Sequence, residues 1–200
     1  MNVRKIVSEV VRDVLSENEI VPPSIPNTMN FWHGGNLDDY GDAIAQKNGR
    51  YEYGPGLYIT THYDTARKYA KGSRKLYLVT VENGTDISEA SLDEDKVRGF
   101  INSYVIGSKR KEILSRMEKY FVDGKIKANT FNVILLNNSA VKPSNTINLR
   151  SFLVDNGIDY EIVFNPFGWG ENMMVLYNMN KIVNVIKVNS SDKISVYDLH

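Results

Sequence analysis

The hydrophobic period of this chain passes back and forth between strand and helix along its length, and that limits the folds open to it more than any other feature. Near the start, "MNFWH" (29–33) alternates, with Met29, Phe31 and His33 on one face and Asn30 and Trp32 on the other. "GLYIT" (56–60) and "KLYLVTVENG" (75–84) are further strand-like runs, the first opened by Gly-Pro-Gly and the second closed by a turn signal. Between them, "HYDTARKYAKG" (62–72) reads as a two-turn helix, with Thr61 and Asp64 placed to cap its start and Gly72 its end. The period then turns helical from "DEDKVRGFINSY" through "KRKEILSRMEKYF", parted near Gly107, and again over "TINLRSFLVDNG" (146–157). It returns to strands in "DYEIVF", "ENMMVLYN" and "KIVNVIKV". Strands, then helices, then strands predict an α+β domain with mostly antiparallel pairing, not a doubly wound parallel sheet.

Ahead of the first strand, Val3, Ile6, Val7, Val10, Val11, Val14 and Leu15 recur at three- and four-residue spacing, one apolar stripe on a helix. Lys5, Glu9, Arg12 and Asp13 fill its other faces, and "VPPSIPN" then breaks it. The expected organisation is an N-terminal amphipathic helix over 1–20, a proline-rich linker over 21–27 and one domain over 28–200. The stripe either packs back on its own domain or docks on a partner.

Several function classes can be set aside. Lysine plus arginine (24) offsets aspartate plus glutamate (24), so no overall field draws the chain to nucleic acid. With no cysteine there are no disulfides, zinc–cysteine sites or thiol nucleophiles, which fits a reducing compartment. No stretch approaches the roughly 20 apolar residues that span a bilayer. The start is punctuated by charges and has no small-residue cleavage site, so it does not read as a secretory signal. A cytoplasmic protein without membrane contact is the expectation. The sequence carries no P-loop, no dinucleotide fingerprint and no paired histidines at metal spacing, so no metal is expected. "GWGEN" has glycines but no helix after them. Of the three histidines, His62 falls at a helix start and His200 is the last residue, which leaves His33, at a strand end before Gly34 and Gly35.

Around His33 the residue types suit a flat, cationic ligand. Tyr58 lies on a strand, and Tyr69 follows eleven residues later on the helix, where Ala66, Tyr69 and Ala70 share a face. Two tyrosines folded over one another could sandwich a heterocycle, worth about 0.5–1.5 kcal/mol beyond area burial. Gly34 could offer bare backbone N–H and C=O to an amide. A cationic aromatic amide is the nicotinamide of oxidised NAD. Tyrosines at such positions also serve as plain core or surface fillers, and the residue types alone leave both readings open.

The order "WHGG", "GPGLYIT", "DTARKYA", "LYLVTV", with the closing "NGIDYEIVF" and "ENMMVLYNMNKI", resembles the ADP-ribosyltransferase superfamily. The similarity is to its His-Tyr-Glu branch, which includes poly(ADP-ribose) polymerases and diphtheria toxin. It covers residues 28–82 and 150–188 and leaves out the helical middle and the N-terminal helix. The resemblance implies split antiparallel β-sheets with flanking helices. It also implies NAD as substrate and mono-ADP-ribosyl transfer to a macromolecular acceptor, a protein rather than nucleic acid, with release of nicotinamide. The alternative it leaves is an NAD- or nucleotide-binding module of the same fold without turnover. More distant is a partner-docking protein with a vestigial pocket, in which the N-terminal helix is the working part.

Carried over by position, His33 would bond the ribose hydroxyls, Gly34 would grip the carboxamide, and Tyr58 and Tyr69 would stack on the ring. Thr60 and Ala66 would line the same pocket. Arg50 or Lys47, in the loop "QKNGRYEY" (46–53), would meet the phosphates. The catalytic set implied is Glu171 with His33 and Tyr58. One position departs from the pattern: aligning "VLYN" (175–178) puts Met173 where the family has its glutamate, and Glu171 lies two residues earlier. In a strand the two share a face, about 6.6 Å apart. A bulge, or the turn "GWGE", is needed to carry Glu171 into place. Its carboxylate would stabilise the positive charge that builds on the sugar as the nicotinamide–ribose bond breaks, a contribution of roughly 10²-fold or more. Glu161 and Asp159, on the preceding strand, are less well aimed.

Overall fold

Side chains that alternate between two apolar faces build the centre of the molecule. The structure is a computed structural model and describes residues 19–37, 52–71, 75–166, 168, 170–189 and 192–199. In chain order come β1 (Glu19–Ile20), β2 (Thr28–Gly34), β3 (Leu57–Thr60), α1 (Tyr63–Tyr69) and β4 (Leu76–Glu82). A helical middle follows: β5 (Ser91–Asp93), α2 (Glu94–Tyr104), α3 (Arg110–Glu118), β6 (Lys125–Lys127), α4 (Ala128–Asn137) and α5 (Thr146–Asp155). β7 (Tyr160–Phe164), β8 (Asn172–Leu176), β9 (Ile182–Val188) and β10 (Lys193–Ile194) close the chain. The chain is α+β, and its main sheet runs β7-β8-β3-β2-β4-β9 with every neighbouring pair antiparallel. Two small sheets, β1 with β10 in parallel and β5 with β6 antiparallel, lie outside it.

The alternation decides which core each residue joins. On one face Phe31, Leu57, Ile59, Tyr77, Val79, Met174 and Leu176 form a single cluster. The opposite face carries two. Trp32, Leu76 and Leu78 pack on Ala66 of α1, with Ile20 and Leu199 from the chain's two ends. Val175 and Tyr177 pack on the helical layer, where the rings of Phe100, Phe131 and Phe152 lie 4.8–5.6 Å apart. On this face Tyr58 packs against the helical-layer cluster, and Thr60 and Met173 belong to neither of the two.

Where the structure differs from the expectation, local chemistry explains it. α1 begins after His62 and has no side-chain cap. Thr61 does not cap it, because its hydroxyl accepts the Asn172 N–H at 2.9 Å, and Asp64 pairs with Arg67 at 3.1 Å. Gly72 lies outside the described residues. The last two residues of the expected N-terminal helix, Glu19–Ile20, are instead β1, paired with Lys193–Ile194. Residues 1–18 lie outside the described residues. α4 was not legible as a helix, since "FNVILL" is nearly all apolar and shows no period. The break near Gly107 and the end of α5 at Asn156-Gly157, where Gly157 has φ +78°, agree with the sequence. Rather than two sheets there is one of six strands, yet its halves join through a single register pair, Trp32 opposite Thr60.

Candidate functional site

β2 pairs with β4 along its whole length, from Thr28–Glu82 to Gly34–Leu76, but with β3 only at Trp32–Thr60. Beyond that pair β2 and β3 part, and His33 stands at the opening. Its Nδ1 lies 2.9 Å from the Tyr58 carbonyl oxygen. A carbonyl only accepts, so Nδ1 carries the proton and donates. Burial lowers the imidazole below its usual value, and the Tyr58 carbonyl opposes this only in part. His33 is therefore neutral at pH 7. Its ring turns over Gly35, where an added Cβ would come 3.0 Å from Nε2.

Gly34 touches α1 directly. A Cβ there would sit 1.7 Å from the Ala66 carbonyl oxygen and 2.8 Å from the Ala70 nitrogen. The glycine after the histidine therefore lets the helix backbone lie against the strand end. Ala66 is buried with Trp32, Leu76 and Leu78 and offers no surface of its own. Tyr69, in the last turn of α1, is 69% exposed. Tyr58 points instead toward the helical layer. Its hydroxyl donates to the Gly54 carbonyl at 2.9 Å and accepts the Tyr53 N–H at 3.3 Å. Burial is the largest influence pushing that phenol well above its usual range, so it keeps its proton. The Tyr58 and Tyr69 rings are not stacked on each other.

Glu171 is 1% exposed. Its carboxylate accepts from the Thr60 hydroxyl on β3 and, at 3.0 Å, from the Thr65 hydroxyl in the first turn of α1. Thr60 also takes the His62 N–H at 3.1 Å. Thr60 stands opposite Met173 in the β3–β8 register. The Glu171 side chain thus reaches back to the Met173 row, across the two-residue offset. Arg50 and Lys47 lie outside the described residues.

The structure therefore brings His33 to Tyr58, Gly34 to Ala66, and Thr60 to Glu171, and leaves Tyr69 in solvent. It adds residues that sequence reasoning did not gather. Thr65 is one, legible only as a polar residue inside the α1 run. Asn132 is another: it is buried on α4 and donates to the Tyr53 carbonyl at 3.1 Å and to Glu161 at 3.3 Å. A lone asparagine in an apolar run is the signal that could have found it. Asp159 holds the Thr85 N–H at 2.9 Å and the Asn178 amide at 2.7 Å, which ties the start of β7 to the ends of β4 and β8. Among the described residues no histidine–carboxylate cluster could hold a metal ion, and no helix is long and apolar enough to cross a membrane. No protein-family model, curated protein or solved structure matches the chain.

Proposed function

We propose that the chain binds NAD at the opening between β2 and β3 and transfers its ADP-ribose to a macromolecular acceptor, a protein, with release of nicotinamide. The observation that carries this reading is the reach of Glu171. Its carboxylate bonds the Thr60 hydroxyl, level with Met173 and on the sheet face of Tyr58, in the register pair next to His33, whose side chain alternates to the other face. The ADP-ribosyltransferase-like order of motifs needs a carboxylate there.

The chemistry is a substitution at the ribose carbon. The bond from C1′ to the nicotinamide nitrogen breaks, and its electron pair leaves with the ring, which departs neutral. The acceptor nucleophile forms the new bond to C1′ and gives up its proton. Positive charge grows on the sugar in between, and a carboxylate held near the 2′-hydroxyl stabilises it. His33, neutral with its proton on Nδ1, is held by the Tyr58 carbonyl in one orientation, as a residue that fixes ribose hydroxyls must be. Tyr69 presents an open ring face for the nicotinamide.

A second reading is binding without turnover. It is favoured by the 1% exposure of Glu171, whose carboxylate is committed to two threonine hydroxyls. Labelled NAD with cell lysate separates the two. Transfer of label, nicotinamide release, and loss of both in Glu171→Gln support the enzyme. NAD binding that Tyr69→Ala weakens about two- to tenfold, with no release and no effect of Glu171→Gln, supports the binding module. An NAD titration with neither heat nor thermal protection overturns both.

A further inference from the structure

Glu161 is a second carboxylate on the sheet face that carries Tyr58, and the proposed chemistry does not use it. Tyr58 stands opposite Val175, and Val175 opposite Glu161, so the three form one row across β3, β8 and β7. Glu161 Oε2 lies 2.8 Å from the Tyr177 hydroxyl and 3.3 Å from Asn132 Nδ2. The Tyr177 hydroxyl is also 3.1 Å from the Tyr53 carbonyl, which Asn132 Nδ2 approaches at 3.1 Å as well. Gly54, at φ +127°, lets the loop lie this close, since a Cβ there would sit 2.9 Å from the Tyr177 oxygen.

Counting protons decides the state of this network. Asn132 Nδ2 has two hydrogens and three acceptors in reach, and the two nearer, the Tyr53 carbonyl at 3.1 Å and Glu161 at 3.3 Å, take them ahead of the Tyr177 hydroxyl at 3.5 Å. Turning its amide over would set its oxygen against the Tyr53 carbonyl. The Tyr177 hydroxyl has one hydrogen but two acceptors in reach, the Tyr53 carbonyl and Glu161 Oε2. With Glu161 ionised, one of those contacts brings two acceptors together without a proton. With Glu161 protonated, its O–H donates to Tyr177, Tyr177 donates to the Tyr53 carbonyl, and each of the contacts up to 3.3 Å carries a hydrogen. The surroundings agree. Burial is the largest influence raising the Glu161 carboxyl, the Asp86 charge adds to it, and the bonds from Tyr177 and Asn132 oppose. Tyr58 and Tyr177 face the site as neutral phenols, and Asp86 and Glu52 are the charged groups around it. Among the described residues no lysine or arginine pairs with it.

We propose that Glu161 is a positioning residue that works as a neutral acid: its proton clasps Tyr177 to the Tyr53 carbonyl and so holds the Glu52–Gly56 loop, and with it the Tyr58 hydroxyl, against the sheet. The clasp stands without NAD; only its consequence for the ligand rests on the function proposed above.

The sign follows from linkage. A carboxyl raised in the fold adds stability that is complete below its unfolded value, about 4.3, and is lost as pH rises through the folded value. Urea unfolding of the wild type and Glu161→Gln, whose amide NH2 donates to Tyr177 at every pH as the protonated acid does but cannot accept from Asn132, tests this without ligand. The expected result is a fixed deficit of Glu161→Gln at acid pH, from the Asn132 contact it loses, and a difference that moves in its favour on raising the pH, by up to tenfold per pH unit in the folding constant across the window. A difference that is flat, or that favours the wild type as pH rises, overturns the proposal. Should Glu161→Gln fail to fold, titration of the wild-type Glu161 carboxyl by nuclear magnetic resonance decides. A midpoint above that of an exposed glutamate supports the clasp, and one at or below it sinks it. Where NAD binds, its affinity should fall with rising pH in the wild type and stay level in Glu161→Gln. Failure of NAD to bind leaves the unfolding result intact and counts only against the function.

Discussion

A methyl group on residue 34 would lie 1.7 Å from the Ala66 carbonyl oxygen, so the smallest side chain is excluded there by backbone and not by a movable neighbour. Gly34→Ala is expected to destabilise the protein by about 1–3 kcal/mol, at the upper end of that overpacking range because neither backbone can yield cheaply. Chemical denaturation measures it, and a cost near zero would show that α1 does not press on β2. The neighbouring His33 has a pH signature. Its folded value is lowered by burial, so its neutral form belongs to the fold, and its contribution is present above about pH 6.5 and lost as pH falls through the folded value. The stability difference between the wild type and His33→Asn, which keeps a donor near the Nδ1 place, should shrink on acidification. A difference that grows would mean that the charged imidazole is the form the site prefers.

At the scale of elements, α1 is seven residues with no side-chain cap, too short to stand on propensity alone. Tertiary contacts hold it: Ala66 and Tyr63 in the Trp32 cluster, its backbone on Gly34, and Thr65 on Glu171. The last joins α1, β3 and the chain entering β8 through one buried carboxylate. Thr65→Val keeps the shape and removes the donor, so Glu171 loses a partner in a buried place. The expected loss is about 1–3 kcal/mol, read from urea midpoints. A smaller cost in the Glu171→Gln background would show that the two side chains are coupled, and equal costs in both backgrounds would show that they are not.

At the scale of the whole molecule, the helical middle and the sheet share one core. Val175 and Tyr177 belong to the sheet end of the cluster that contains Phe100, Phe131 and Leu153. Truncating Phe131, which packs edge-on to Phe100 and against Phe152, should therefore reach the sheet. Phe131→Ala is expected to cost about 3–5 kcal/mol. Tryptophan fluorescence and far-ultraviolet circular dichroism should move together, since sheet and helices melt as one. Two separated transitions would mean that the helical layer is an independent unit. The chain's ends are fastened by the same logic: the Trp32 indole donates to the Tyr197 carbonyl at 2.7 Å, and β1 pairs with β10.

The sequence by itself determined the class of fold and most of the strands, because a half-buried strand must alternate and a helix that covers a sheet must repeat every three or four residues. Phe31 and Trp32 went to opposite cores as their adjacency required. α4 was not legible because its outward face carries the apolar Val133, so the run "FNVILL" shows no period. The corner at His33 was legible as a cluster of residue types, but not as a geometry. Only the tertiary structure decided that its ring bonds a backbone carbonyl, that Glu171 reaches back to Thr60, and that Tyr177 and Tyr53, 124 residues apart, share a proton network with Glu161. Side-chain period reports which face a residue occupies. Which group a donor finds on that face depends on loops and on strands distant in the chain, and periodicity carries no record of them.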